Sequence, residues 1–226
     1  MIYNNILSGK FISRPNRFIA NIEIDGKTEV CHVKNTGRCK ELLTLGADVF
    51  VQKSDSPLRK TAYDLIFVYK NGMLINMDSQ APNKVFYEWA KKSDFFGDIT
   101  LIKPEYKYKN SRFDFYIEAD DRKILVEVKG VTLENDGVVS FPDAPTERGV
   151  KHLKELIDAT KNGYDTYVFF IIQMEKCTYF TPNRVNHPEF ADALTDAKNS
   201  GVNIVAVNSK VTENELKISE FVQVIL

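Results

Sequence analysis

Asp114, Glu127 and Lys129 stand in the stretch SRFDFYIEADDRKILVEVKG, Ser111 to Gly130, whose other residues are patterned for burial. Two carboxylates and an ammonium in such a setting can hold a divalent cation and activate a water, or form a salt-bridge ladder on a solvated sheet face. In RFDFYIE the apolar Phe113, Phe115 and Ile117 fall on one face and Arg112, Asp114, Tyr116 and Glu118 on the other, the period of a half-buried strand. KILVEVK repeats it, with Ile124, Val126 and Val128 against Leu125, Glu127 and Lys129. A two-residue turn at Asp120–Asp121 sets Asp114 across from Glu127 and Arg112 across from Lys129; a three-residue loop would send Glu127 to the opposite face. Opposed carboxylates about 4 Å apart, at an effective dielectric of about 20, repel by roughly 4 kcal/mol. A shared proton, Lys129 and Arg112 as counter-ions, or a bound divalent cation would offset that repulsion.

The surrounding elements decide whether these groups meet. From Gly9 to about Asn76 short alternating runs (KFISR, RFIANIEI, TEVCHV, DVFVQK, YDLIFVYK, MLINM) are broken by DG, NTG, LGA, SDSP and NG, as in a small β-barrel or sandwich. Asn35, Thr36 and Gly37 read as a tight turn. From Ala81 the character changes. APNKVFYEWAKKSDF is expected to be a helix with Val85, Phe86 and Trp89 as its stripe, followed by a strand at ITLIKPEYKY, the two strands above and a loop. Next come a helix at TERGVKHLKELIDATK, ended by Asn162 and Gly163, and the run DTYVFFIIQ, apolar on both faces like a central strand covered by helices. HPEFADALTDAKNSG and NIVAV add a helix and a strand to the same sheet.

The whole chain sets the bounds. Its 226 residues, 43% hydrophobic and 27% charged, are globular in composition and hold one large domain or two small ones. The longest apolar run, YVFFII, is far below the ~18 residues of a membrane span, and MIYNNILSGK lacks a signal-peptide layout, so no membrane partner and a cytoplasmic location are expected. Cys31, Cys39 and Cys177 make no disulfide framework, and Cys31, His32 and Cys39 lack the C-x-x-C and fourth ligand of a zinc site. Net charge is −1, but residues 1–75 carry 11 basic and 7 acidic side chains against 19 and 24 in the remainder. The first third is the basic part.

Two further groups of residues suit phosphate. On the helix from Thr146, an N-cap, Val150, Leu153, Leu156 and Ile157 form the stripe to bury. Arg148, His152 and Glu155 follow on another face with Lys151 beside them, either a solvated face or one that holds phosphate near the helix N-terminus. In the basic third, Arg14, Arg17, Lys34, Arg38 and Lys40, with Lys53, Arg59 and Lys60, can line a phosphate-tracking groove, and Phe18 or Tyr63 can stack on bases.

Asp114 on one strand and Glu-x-Lys on the next, within α-β-β-β-α-β, resembles the PD-(D/E)xK nuclease core. The resemblance implies Asp114 and Glu127 as ligands of Mg²⁺ or Mn²⁺, the Val128 carbonyl as a third, and Lys129 as the group that orients or deprotonates water. Glu105 in PEYKY and Glu88 on the first helix stand where related sites add a carboxylate. SRPNRF (13–18), KNTGRCKEL (34–42), EYKYKNSRFDF (105–115), EVKGVTL (127–133) and FPDAPTERGVKHLKEL (141–156), read together, resemble the sugar fermentation stimulation protein family over almost the whole chain. Pro145 departs from the family, where a branched apolar residue is common, and stiffens the start of the helix.

The family resemblance implies an OB-like barrel over 1–78, a restriction-endonuclease-like α/β domain over 79–226, and nucleic-acid binding. The expected function is therefore metal-dependent hydrolysis of phosphodiester bonds in DNA or RNA, with Arg14, Arg17, Lys34, Arg38, Arg112, Arg148, Lys151 and His152 on the nucleic acid. The sequence leaves a homodimer open. The alternatives are a DNA-binding regulator of sugar metabolism that keeps the fold and cleaves little, and a sugar-phosphate protein suggested only by the family's phenotype. Clustered carboxylates facing phosphates favour the first, since without a metal they would repel the ligand.

Overall fold

Each alternating run of the first third becomes a strand because it offers one apolar face and ends on a turn signal. In the computed structural model, which describes residues 1–35, 37–56 and 58–226, these are β1 (Ile6–Asn16), β2 (Ile19–Ile24), β3 (Lys27–Val33), β4 (Asp48–Lys53), β5 (Tyr63–Lys70) and β6 (Met73–Asn76). Asp25–Gly26 and Asn71–Gly72 close the β2–β3 and β5–β6 hairpins with both residues at positive φ, the backbone such turns require. The order is β3-β2-β1-β4-β5-β6, and a parallel pairing of β3 with β5 closes the first five strands into an OB-like barrel. Ala20, Ile22, Val33, Val49, Val51 and Leu65 fill it. The turn expected at Thr36 lies outside the described residues.

The second sheet carries the carboxylates. Helix α1 (Ala81–Ala90) leads to β7 (Ile99–Tyr108), β8 (Ser111–Ala119), β9 (Arg122–Val131), β10 (Leu133–Asn135) and β11 (Val138–Phe141). Then come α2 (Glu147–Lys161), β12 (Asp165–Ile172), β13 (Tyr179–Pro182), α3 (Pro188–Asn199), β14 (Asn203–Thr212) and β15 (Glu215–Val224). The nine strands run β10-β11-β13-β15-β14-β12-β9-β8-β7, with β9, β12 and β14 parallel at the centre. Central β12 is covered on both sides. Phe169 and Ile171 pack with α1, while Val168, Phe170 and Ile172 pack with residues of α2 and α3. Phe86 of α1 is fully buried among Phe96, Phe115 and Phe169, a burial worth about 2 to 3 kcal/mol, while Trp89 beside it stays partly exposed.

Asp120 and Asp121, at φ of 47° and 61°, make the two-residue turn on which the facing of Glu127 depends, and β8 pairs with β9 from Ala119↔Arg122 to Phe115↔Val126. Beyond Phe115 the alternation breaks. Phe113 packs against the α2 side and Phe115 against the α1 side, so the two do not share a face as period two requires. The expected loop after β9 holds the β10–β11 hairpin, whose second strand joins β13 in parallel. Neither β13 nor β15 was marked by the pattern, the first being short and ending in proline, the second interrupted by charge.

The barrel meets the second sheet through polar groups, those around Gln173 buried. Gln173, at the end of β12, donates from Nε2 to Asn76 O (3.1 Å), Asn76 Oδ1 (2.7 Å) and Asp78 O (3.1 Å). Asp143 Oδ2 accepts from the Arg38 and Cys39 N–H groups, and Lys70 pairs with Glu134 at 2.7 Å. Among the described residues no helix is long and apolar enough to cross a membrane.

Candidate functional site

Where β8 parts from β9, the Asp114 carboxylate takes over from the strand ladder. Its Oδ2 accepts from the Val128 N–H at 2.8 Å, and its Oδ1 accepts from Asn83 Nδ2 of α1, also at 2.8 Å. This places Asp114 against the backbone between Glu127 and Lys129. Glu127 is 3% exposed. Its Oε1 accepts from Lys129 Nζ and lies 2.6 Å from His152 Nδ1 of α2. Its Oε2 is buried and has no hydrogen-bond partner among the described residues.

The two carboxyls are driven apart in acidity. Burial pushes Asp114 up, the neighbouring Glu127 charge adds to it, and the bonds from Val128 and Asn83 with the Lys129 charge only partly oppose. For Glu127 burial also pushes up, but Lys129 and His152 outweigh it and hold the group below the usual carboxylate range. Glu127 is thus a fixed negative charge, and Asp114 the carboxylate that gains most from a nearby cation. A hard divalent ion fits this donor set: one buried carboxylate oxygen has no partner among the described residues, and a second carboxylate, whose charged form burial and the Glu127 charge disfavour, is beside it. Among the described residues no cluster of three or more His, Cys, Asp or Glu side chains is arranged to hold a metal. Further ligands would have to be backbone carbonyl or water.

Glu105 does not join this pair. It sits in β7 at a φ of 53°, its side chain is 74% exposed, and it accepts from Arg112 at 3.1 Å. Glu88 pairs instead with the amino group of Met1. Gly130, directly after Lys129, admits no side chain: a Cβ there would lie 2.5 Å from Gln173 Oε1 and 2.7 Å from the Pro82 ring. The groove beyond it, about 330 Å³, is lined by Thr132, Ser140, Thr146, Gly37 and Asp143. Gly37 and Ala144 also line a second hollow of 470 Å³ holding Arg14, Arg17, Arg38 and Lys40.

The cations divide into two groups. Arg14 is spent on the fold, donating to the carbonyls of Asn35, Gly37, Arg38 and Arg17. Lys34 pairs with Asp64 (3.1 Å) and Asp78 (3.5 Å), and Arg59 with Asp64. Arg17, Arg38 and Lys40 are exposed, and Arg17 lies 6.0 Å from the ring of Phe18, itself exposed. On α2, Arg148 is exposed, and Lys151 donates to Asn110 O. His152 is not on a solvated face: it is 4% exposed and packed on Phe113. Burial pushes the Cys31 and Cys39 thiols up to about 12, which leaves them protonated and inert.

Comparison with known proteins bears on the whole chain. The family model described as the sugar fermentation stimulation protein RE domain matches residues 80–215, and that described as the SfsA N-terminal OB domain matches residues 12–77. The chain belongs to the sugar fermentation stimulation protein family. A family homolog from Clostridium beijerinckii is 64% identical over 226 residues and covers 100% of both chains. One from Ruminiclostridium cellulolyticum is 58% identical over 224 residues, 99% of each. The solved structure of Pyrococcus furiosus SfsA in complex with Ca²⁺ superposes with a TM-score of 0.91 at 26% identity, covering 100% of this chain and 98% of that one. The OB-like barrel and the mixed α/β domain are therefore the family's architecture.

Two contributors to this family member's site escaped the sequence. Asn83 precedes the apolar stripe of α1 and carries no motif. His152 was visible as a residue, but helical periodicity alone assigned it to the polar face; its contact with Glu127 spans 25 positions. A signal existed in the spacing of Gly149 and His152 beside Leu153 and Leu156, since all four are buried.

Proposed function

We propose that this chain is a divalent-metal-dependent nuclease that hydrolyses phosphodiester bonds in DNA or RNA. The observation that carries the reading is the buried Glu127 Oε2, without a hydrogen-bond partner next to a second carboxylate that burial and like charge destabilise. Glu155 Oε2 is also buried without a partner among the described residues, but only at Glu127 does such an oxygen stand beside a second buried carboxylate. The Pyrococcus furiosus relative was solved in complex with Ca²⁺, which supports a hard cation, and Mg²⁺ or Mn²⁺ is the reactive counterpart.

Glu127 and Asp114 would hold the ion, with the Val128 carbonyl and waters completing the shell. When bound, the ion polarises a phosphoryl oxygen and lowers the pKa of water. The chain's own residues do the rest. Lys129, held by Glu127, would orient the attacking water and donate toward the negative charge that builds on the attacked phosphate. Val128 N–H and Asn83 fix the Asp114 carboxylate so that it need not reorganise. Exposed Arg17, Arg38 and Lys40 supply phosphate contacts, and Phe18 offers a ring for stacking.

A divalent-metal titration with cleavage followed on single- and double-stranded DNA and RNA tests the reading. Cleavage should require Mg²⁺ or Mn²⁺. Mn²⁺ at about 100 times its dissociation constant should raise stability by roughly 2.7 kcal/mol in the parent and not in Asp114→Asn. Equal stabilisation of both proteins would place the ion elsewhere. Binding without cleavage of any of the four substrates would sink the nuclease in favour of a regulatory nucleic-acid-binding protein.

A further inference from the structure

Glu127 keeps Oε2 unpaired while Oε1 is held from two directions, and the side chains that arrange this include one pair with no other evident task. His152 is buried, its Nδ1 is 2.6 Å from Glu127 Oε1, and its ring packs edge-on to Phe113 with centroids 5.9 Å apart. On the far side of the ring, Arg148 Nε lies 3.4 Å from His152 Nε2. A guanidinium nitrogen can only donate, so Nε2 must accept, and the proton of the neutral imidazole must sit on Nδ1. Nδ1–H then donates to Glu127 Oε1. A carboxylate held at one oxygen by a fixed donor has its rotation set, and the other oxygen is left with both lone pairs. Lys129 cannot do this alone, because its four-carbon stem and rotatable ammonium fix no plane.

We propose that His152 is a positioning residue for the metal-binding carboxylate, and that Arg148 holds its imidazole in the Nδ1–H tautomer. The inference rests on the metal-site reading above. It moves His152 from contact with nucleic acid to support of Glu127, one residue removed from the ion. The i, i+4 spacing of Arg148 and His152 on α2 places the two side chains over one another, so the helix itself sets their contact.

The test separates the donor from its bulk. Asparagine places an N–H close to the position of Nδ1, glutamine close to that of Nε2, and leucine provides neither. Mn²⁺ affinity measured by electron paramagnetic resonance on the folded, substrate-free proteins should fall about 10- to 100-fold in His152→Leu and His152→Gln. It should stay within about threefold of the parent in His152→Asn, a rescue that a role in packing alone would not give. Circular dichroism checks that each variant is folded. In the metal-free parent, ¹⁵N chemical shifts should show His152 as the Nδ1–H tautomer, and Arg148→Met should add Nε2–H.

Parent-like Mn²⁺ affinity in His152→Leu, or an Nε2–H tautomer in the parent, would overturn the inference. Equal loss in all three His152 variants would reduce the residue to packing and overturn it as well. If the parent binds no Mn²⁺, the metal reading fails. The tautomer then decides by itself whether His152 donates to Glu127.

Discussion

Asp64 in the barrel and Glu127 in the second sheet are both buried carboxylates, 4% and 3% exposed, each flanked by a lysine and a histidine. Asp64 accepts from Arg59 through both oxygens and also meets Lys34 at 3.1 Å and His32 at 3.3 Å. Glu127 receives Lys129 and His152 on a single oxygen and, among the described residues, has no partner on the other. In both, burial pushes the carboxyl up and the surrounding donors outweigh it, so both titrate below the ordinary range. The residue types are nearly the same. The valence left over is not, and together with the second carboxylate beside Glu127 it separates a carboxylate that holds a barrel together from one that can take a ligand.

The strongest consequence of that contrast is for chemistry. Lys129→Met should lower metal-dependent cleavage by about 10²- to 10⁴-fold, the usual range for a group that handles a proton or its charge in the transition state, with affinity for nucleic acid little changed. Asp64→Asn should leave the turnover of the folded fraction near that of the parent. Single-turnover rates under saturating Mg²⁺ measure both. Equal losses in the two variants would mean that the barrel carboxylate also serves the reaction, and the distinction between the two carboxylates would collapse.

Stability should respond in the opposite sense. Asp64→Asn is expected to cost about 2 kcal/mol, less than the roughly 3 to 5 of a fully buried pair, because Arg59 and Lys34 reach solvent. The folded-state pKa of Asp64 is depressed, so its contribution is complete above the unfolded value near about 3.9 and is lost as pH falls through the folded value. Denaturant unfolding followed from pH 7 to pH 3 should therefore show a shallower acid limb in Asp64→Asn. Asp114 has the reverse sign: its raised pKa favours the protonated form on folding, a gain present at low pH and lost as pH rises through the folded value. Metal-free Asp114→Asn should accordingly be as stable as the parent or about 1 kcal/mol more so at pH 7, where removal of like-charge repulsion outweighs weakened bonds to Val128 and Asn83. A loss of stability there would show that Asp114 is bonded well enough without an ion.

Much of this arrangement is legible in the chain's residues alone, for identifiable reasons. The Asp120–Asp121 turn fixes the β8–β9 register because side-chain period in a strand is two, so a single loop length places every later residue. Thr146 caps α2 through Gly149 N, and Asn162 with Gly163 ends it, as local capping chemistry dictates. What escapes depends on groups distant in sequence. The splaying of β8 from β9 at Asp114 splits Phe113 from Phe115, and no alternation rule encodes it. Arg14 and Lys34 look like phosphate ligands by type, yet four carbonyls claim one and two carboxylates the other. Charge can be counted in a sequence, but its partners cannot.

The same division between satisfied and unsatisfied groups has its smallest consequence in the salt dependence of binding. Among the basic residues of the barrel, those with internal partners should behave like Asp64 and those without like Glu127. Alanine at Arg17, Arg38 and Lys40 together removes up to three exposed cations and no ion pair seen among the described residues. Each phosphate deprived of its cation should reduce the slope of log K against log salt by about 0.7 for single strands and about 0.9 for duplex, with stability within about 0.5 kcal/mol of the parent. Arg14→Ala should do the reverse. It frees three carbonyls around residue 37 and that of Arg17 in the β1–β2 turn, and should lower the melting temperature, changing the slope only as far as those loops carry Arg17 and Arg38. Binding isotherms between 50 and 200 mM salt, roughly the range in which such slopes resolve, separate the two classes. An unchanged slope in the triple variant would remove the hollow beside Gly37 from the path of the nucleic acid, leaving α2 and the groove beyond Gly130 as the surface that holds it.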